Sequence, residues 1–170
     1  MLLDQPTPEA LGAPPPRDLS FSGTYVTFVL SDQTFGVEVT HVREILDQQR
    51  VNRLPNASHD CTGVIDTRGE SIPLIDLASR LGMPPSDPGP DTRVIVFEIE
   101  IDGLARPLGV LADRVLNVTI ISSADIEPAP RAAVTGGTSE GLRGLTRLDG
   151  ALVVMLDIAE VFGDRSLPGF

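Results

Sequence analysis

The sequence predicts an all-β fold built as two similar units of short strands with brief helical turns. Three observations predict it. Residues 63–81 and 144–162 carry one pattern twice, 81 positions apart. Gly63-Val-Ile-Asp-Thr-Arg-Gly69, then Ile72-Pro-Leu-Ile-Asp76-Leu77-Ala78 and Leu81, aligns without a gap on Gly144-Leu-Thr-Arg-Leu-Asp-Gly150, then Val153-Val-Met-Leu-Asp157-Ile158-Ala159 and Phe162. Each copy reads as strand, tight glycine turn, strand and an Asp-capped helical turn. A second echo has an offset of 73: Gly36, Val37, Val42 and Ile45 return as Gly109, Val110, Val115 and Val118. Finally, the apolar runs between these landmarks are short, rich in β-branched residues and bounded by Gly, Asp and Pro. About ten short strands are expected, most simply as two interlocked five-stranded barrels.

The elements follow in order. Residues 1–20 hold Pro6, Pro8, Pro14, Pro15 and Pro16 with little apolar period, the composition of a flexible proline-rich tail. Folded structure is expected from near Thr24. Tyr25-Val-Thr-Phe-Val-Leu30 and Phe35-Gly-Val-Glu-Val39 flank a turn at Ser31-Asp32-Gln33 and predict a hairpin. Val39, Val42, Ile45 and Leu46 stand at helical spacing, with Thr40 as N-cap, and predict a short helical turn. A strand is expected around Val51–Leu54, a loop over Pro55–Asp60, then the first copy of the repeat. Pro84, Pro85, Pro88 and Pro90 make Met83–Asp91 a connector that no regular element crosses. Arg93-Val-Ile-Val-Phe97, a turn at Asp102-Gly103 and Pro107-Leu-Gly-Val-Leu111 predict a second hairpin. Ile120–Ala133 reads as a strand end and turn, Thr135–Gly141 as a mobile loop before the second copy of the repeat, and 164–170 as a C-terminal tail.

Composition narrows the function. Apolar residues make up 41% and mean hydropathy is +0.10, values of a globular chain. Thirteen cations, every one Arg, stand against 24 carboxylates, for a net charge of −11. That balance disfavours nucleic acid and anionic membrane as partners, because phosphate binding needs a positive field. The single cysteine, Cys61, has no internal partner for a disulfide, which fits a reducing compartment. No apolar run approaches the ~18–20 residues of a membrane span. Asp4, Pro6, Pro8 and Glu9 fall where a signal peptide would place its apolar stretch. A cytoplasmic protein with no direct membrane insertion is expected.

Signs of catalysis are few. His59-Asp60-Cys61 holds the letters of a nucleophilic triad, yet neighbours in sequence do not hydrogen-bond in series. Zinc needs three or four Cys or His ligands gathered together, and the chain has His41, His59 and Cys61 in all. No phosphate-binding glycine loop or zinc-protease helix motif occurs. Asp76 and Asp157 each precede a short helical pattern, and N-capping explains them more simply than paired acid–base chemistry. The expectation is no enzyme, no cofactor and no metal. Polar residues stand out at turns instead. Arg68 sits at a tip between two apolar strands, either a solvated turn residue or a planar charged fork for a partner. Glu44 lies among aliphatic residues, as an ordinary exposed face or as part of a protein–protein patch. Aromatics are only 4% with no Trp, so a base-stacking platform or sugar slot is not expected.

Tyr25-Val-Thr-Phe-Val-Leu, Phe35-Gly-Val-Glu-Val, Val42-Arg-Glu-Ile45, the two repeat copies, Gly109-Val-Leu-Ala-Asp113-Arg-Val115 and Ile126-Glu-Pro-Ala-Pro130 occur in this order. Together, over residues 21–163, they resemble the CheW family of chemotaxis coupling proteins. The resemblance implies two interleaved five-stranded SH3-like β-barrels. It implies a non-enzymatic adaptor that couples chemoreceptor tips to the histidine kinase CheA in cytoplasmic arrays. On that resemblance Val42, Arg68 and Val118 match receptor-binding positions along a groove between the barrels. Glu44 and Ile45 match positions that hold the kinase's regulatory domain. Gly63, Gly69 and Gly144, with Asp76 and Asp157, read as turn and capping residues. Asp66 stands where the family usually has Asn, and would pair with Arg68 or tune the choice of partner. Glu127 and Ala132 replace a basic and an aromatic residue that help form a second kinase contact, which is therefore expected to be lost or retuned. A coupler for a non-flagellar pathway, or a detached kinase regulatory domain, would share the same fold.

Overall fold

The computed structural model describes residues 22–85, 87–130 and 141–163. The expected tails at 1–20 and 164–170, the loop before Gly141 and Ala132 lie outside the described residues. Among those described, ten strands form two five-stranded sheets. The first half of the chain supplies β1 (Ser22–Leu30), β2 (Gln33–Glu38), β3 (Val42–Asp47), β4 (Cys61–Thr67), β5 (Glu70–Ile75) and helix α1 (Leu77–Arg80). The second supplies β6 (Arg93–Ile101), β7 (Leu104–Ala112), β8 (Arg114–Ser122), β9 (Leu142–Leu148), β10 (Ala151–Leu156) and helix α2 (Ile158–Gly163). Short 3-10 turns occupy Val39–His41 and Ser123–Asp125.

The two halves are interleaved by exchange of hairpins. One sheet has the order β8-β1-β2-β10-β9, the other β3-β6-β7-β5-β4. Each therefore takes its central hairpin from one half and its remaining three strands from the other. The first is called barrel 1 and the second barrel 2. Four pairings join the two halves: β2 with β10 and β5 with β7 are parallel, β1 with β8 and β3 with β6 are antiparallel, and every pairing within a half is antiparallel.

Period-two alternation places three cores. Tyr25, Ile121, Val153 and Met155 fill barrel 1. Ile65, Ile72, Leu74, Val94 and Val96 fill barrel 2. The largest cluster lies between them and draws on both halves, with Phe28, Phe35, Val37, Ile95, Phe97, Leu108 and Val110 joined by Leu77, Ile158 and Phe162 from the helices. Phe28 and Phe35 stack at 5.9 Å between centroids. Arg80 of α1 lies 4.9 Å from the Phe162 ring centroid of α2 and pairs with Asp60 at 3.1 Å, tying the two helices across the molecule.

The repeated glycines have a visible cause. Gly63 (φ 154°) and Gly144 (φ 155°) sit where the preceding loop returns to pair. A Cβ on Gly63 would lie 2.5 Å from the Asn52 carbonyl oxygen, and one on Gly144 would lie 2.5 Å from that of Glu127. The repeated aspartates cap the helices. Asp76 Oδ1 accepts from the Ser79 amide at 3.1 Å, and Asp157 Oδ1 from the Glu160 amide at 3.2 Å.

Three local expectations are corrected. Residues 42–47 form strand β3, not a helical turn. A three-residue 3-10 turn begins at Val39 and runs into Val42, and two strand periods separate Val42 from Leu46, so the apolar spacing imitates a helix. Thr40 caps nothing; its hydroxyl donates to Glu38 at 3.3 Å. The strand expected over 51–54 is reduced to one bridge, Asn52 with Val64. Both hairpins lie where they are expected, and the described residues of the proline connector carry no helix or strand.

Candidate partner-binding site

The third strand of each half edges the other half's hairpin, and each carries a bulge at the same place. In β3, Val42 faces Phe97 and Glu44 faces Val96, which leaves Arg43 as the extra residue. In β8, Val115 faces Phe28 and Asn117 faces Thr27, which leaves Leu116 as the extra residue. Arg43 and Leu116 are 73 positions apart, the offset of the sequence echo. A bulge re-aims its side chain and raises local twist. Here it turns both edge strands toward the hairpin at the far side of their own barrel.

In barrel 2 that hairpin is β4–β5, turning at Arg68 (φ 54°) and Gly69 (φ 78°). Positive φ at both central residues is the turn whose twist matches the flanking strands. Two ion pairs join it to β3. Glu44 Oε1 lies 3.1 Å from Arg68 Nη2, and Arg43 Nη2 donates to Glu70 Oε1 at 2.7 Å. The Glu70 hydrogen bond raises the Arg43 guanidinium above its ordinary value. Glu44 is largely covered, with 16% of its side chain exposed, whereas Arg68 is 76% exposed. Arg68 thus rests one nitrogen on a shielded carboxylate and presents the rest of its fork to solvent. The structure pairs Arg68 with Glu44 and not with Asp66, which is exposed on β4.

Barrel 1 repeats the geometry with different chemistry. The places of Arg43, Glu44, Arg68 and Glu70 are taken by Leu116, Asn117, Asp149 and Ala151. No ion pair joins them among the described residues. They line a cleft of about 410 Å³ together with Val118. Leu116, Val118 and Ile120 form an exposed apolar row along β8, with Ile120 73% exposed and Val118 60% exposed.

The candidate residues therefore fall into distinct settings. Arg68 and Glu44 are brought into contact. Val42 is half-buried on β3 and packs against the central core. Ile45, 40% exposed, and Val118 occupy corresponding positions of β3 and β8, on different barrels. Glu127 pairs through its backbone with Leu145 and borders a second groove with Ile120 and Arg147. Sequence reasoning missed Arg43, Glu70 and Leu116; the 73-residue echo was the available signal, because position 43 and position 116 stand between its paired landmarks. The catalytic letters do not assemble. Cys61 is buried, its Sγ 3.6 Å from the Gly63 carbonyl oxygen; Asp60 pairs with Arg80; and His59 Nδ1 lies 3.4 Å from Ser79 Oγ. Among the described residues no cluster of His, Cys, Asp and Glu is placed to hold a metal, and no helix is long and apolar enough to cross a membrane.

Comparison with known proteins supplies the context. The family pattern of the CheW-like domain matches residues 24–166. The chain is 31% identical to the chemotaxis protein CheW of Rhizobium meliloti (strain 1021) over 137 residues, covering 81% of this chain and 85% of that one. It is 29% identical to the chemotaxis protein CheW of Klebsiella aerogenes over 143 residues, covering 84% and 83%. Its fold is similar to that of the scaffolding protein TtCheW from Thermoanaerobacter tengcongensis, with a TM-score of 0.72 and 27% identity over 86% of this chain and 94% of that one.

Proposed function

The chain belongs to the CheW-like family of non-enzymatic chemotaxis coupling proteins, and on that premise we propose that it joins cytoplasmic chemoreceptor tips to the regulatory domain of the histidine kinase CheA. Arg68, Val42 and Val118 serve the receptor, and Glu44 and Ile45 serve the kinase. The observation that carries this reading is the Arg68 turn. An always-charged fork, held by Glu44, projects from a two-residue turn and is 76% exposed. Such a group fixes register on a partner's carboxylate or carbonyl oxygens, while neighbouring apolar side chains supply the buried area.

The Glu44 contact gives the two roles a shared element. A receptor that draws Arg68 toward itself changes the environment of a kinase-facing carboxylate 3.1 Å away. Reconstitution of kinase control with a cognate receptor tests the assignment. Arg68→Ala is expected to keep the fold and to lower receptor binding by about 1–3 kcal/mol, the usual loss for a charged interface anchor. Receptor binding and kinase control equal to the parent's would show the turn arginine to be a bystander.

A further inference from the structure

We propose, resting on the reading of Arg68 as a receptor contact, that Arg43 and Glu70 are positioning residues whose ion pair pins the β4–β5 turn to β3 and so presents the Arg68 guanidinium. The turn has two tethers, one on each side of Gly69. Arg68 reaches Glu44 and Glu70 reaches Arg43. Gly69 itself offers no restraint by packing, since a Cβ there would meet nothing within 4 Å. With one tether the turn pivots about the Arg68–Glu44 contact; with two, its orientation on β3 is defined. Neighbouring residues of a regular strand point to opposite faces, so a single strand face does not supply both partners. The bulge at Arg43 removes that conflict and lets Arg43 and Glu44 reach the same hairpin.

Barrel 1 shows what this seam looks like without the pair. The same bulge there carries Leu116, the hairpin opposite carries Ala151, and an open cleft lies between them. The geometry is common to both barrels and the charges are particular to one, the one that bears Arg68. The pair is also exposed, 34% at Arg43 and 41% at Glu70. Exposed pairs contribute little to global stability, so its effect falls on the placement of the turn. Holding a binding group in its bound geometry strengthens association by lowering the ordering cost, without a new contact.

The test is a titration of a fragment bearing the tip of a chemoreceptor that the parent binds, from the same organism. Arg43→Ala and Glu70→Ala are each expected to weaken binding by roughly three- to tenfold with an unchanged thermal midpoint. The double variant should be no weaker than either single one, as for a pair that acts as a unit. In an Arg68→Ala background, Arg43→Ala should have no further effect, because no guanidinium remains to be placed. Parent-like binding by both single variants overturns the proposal, and so does an undiminished loss in the Arg68→Ala background, which would mean a direct or unrelated role. If Arg68→Ala itself binds like the parent, the receptor reading falls and takes this proposal with it. If only the Arg43 and Glu70 variants are silent, the receptor reading stands alone.

Discussion

At residue scale, the duplicated glycines separate two demands that look alike in sequence. Gly63 and Gly144 are required by close approach as well as by φ, because a carbonyl oxygen lies 2.5 Å from each missing Cβ. Gly69 is required by φ alone. Gly144→Ala should therefore cost about 2–4 kcal/mol in urea unfolding, combining strain and backbone displacement. Gly69→Ala should cost nearer 1 kcal/mol. A charge pair in barrel 1 predicts a pH effect. Arg143 hydrogen-bonds Glu38 and holds its carboxyl below the ordinary value, while Glu38 raises Arg143. Because the folded value is the lower one, the stabilisation is fully present above the ordinary carboxylate value and is lost as pH falls through the folded value. Acid titration of stability should show a shallower loss over that window in Glu38→Gln than in the parent, and identical curves would remove the pair from the account. Arg68 and the glycine turn were legible as residue types at a tip. The partner of Arg68 was not, because Glu44 reaches it only after β3 and β4 are folded onto opposite ends of one sheet.

At the scale of elements, the repeat was readable because its demands are local. A two-residue turn needs positive φ, and a helix start needs an acceptor for its free amides, whatever surrounds them. Asp76 and Asp157 meet the second demand, and Asp157→Ala should lower stability by about 1 kcal/mol in a denaturant titration; no change would mean that the Glu160 amide finds another acceptor. The segment after β2 was misread for an equally physical reason. Apolar residues three and four apart are common to a helix and to a 3-10 turn that runs into a strand, and only pairing with β6 distinguishes them. The 73-residue echo marks Arg43 and Leu116 as equivalent positions, but nothing in it marks either as a bulge. A bulge is defined by what stands opposite it, and the opposing strands β6 and β1 belong to the other half of the chain.

At the scale of the whole molecule, hairpin exchange makes the two barrels one cooperative body. The central core takes Phe28, Phe35 and Leu156 from barrel 1 and Ile75, Phe97 and Leu108 from barrel 2, so neither barrel keeps its packing when the other opens. Tyr25 is the single tyrosine in a chain without Trp and is buried inside barrel 1, a natural probe of that barrel alone. Its fluorescence and the far-ultraviolet circular dichroism of both sheets should report one coincident urea transition; separated midpoints would mean independent barrels. Phe97→Ala removes a fully buried ring from the shared core and should shift both signals together, by about 3–5 kcal/mol.

By itself the sequence determined the all-β class, the doubling, the turn glycines and the helix caps, since these answer to constraints within a few residues. It also carried the family, through motifs kept in order along the chain. Tertiary structure alone decided which half lends its hairpin to which barrel, which carboxylate faces Arg68, and why one seam is bridged by charge while its twin stands open and apolar. Those facts depend on contacts between residues tens of positions apart, and such contacts leave no periodic mark on the chain.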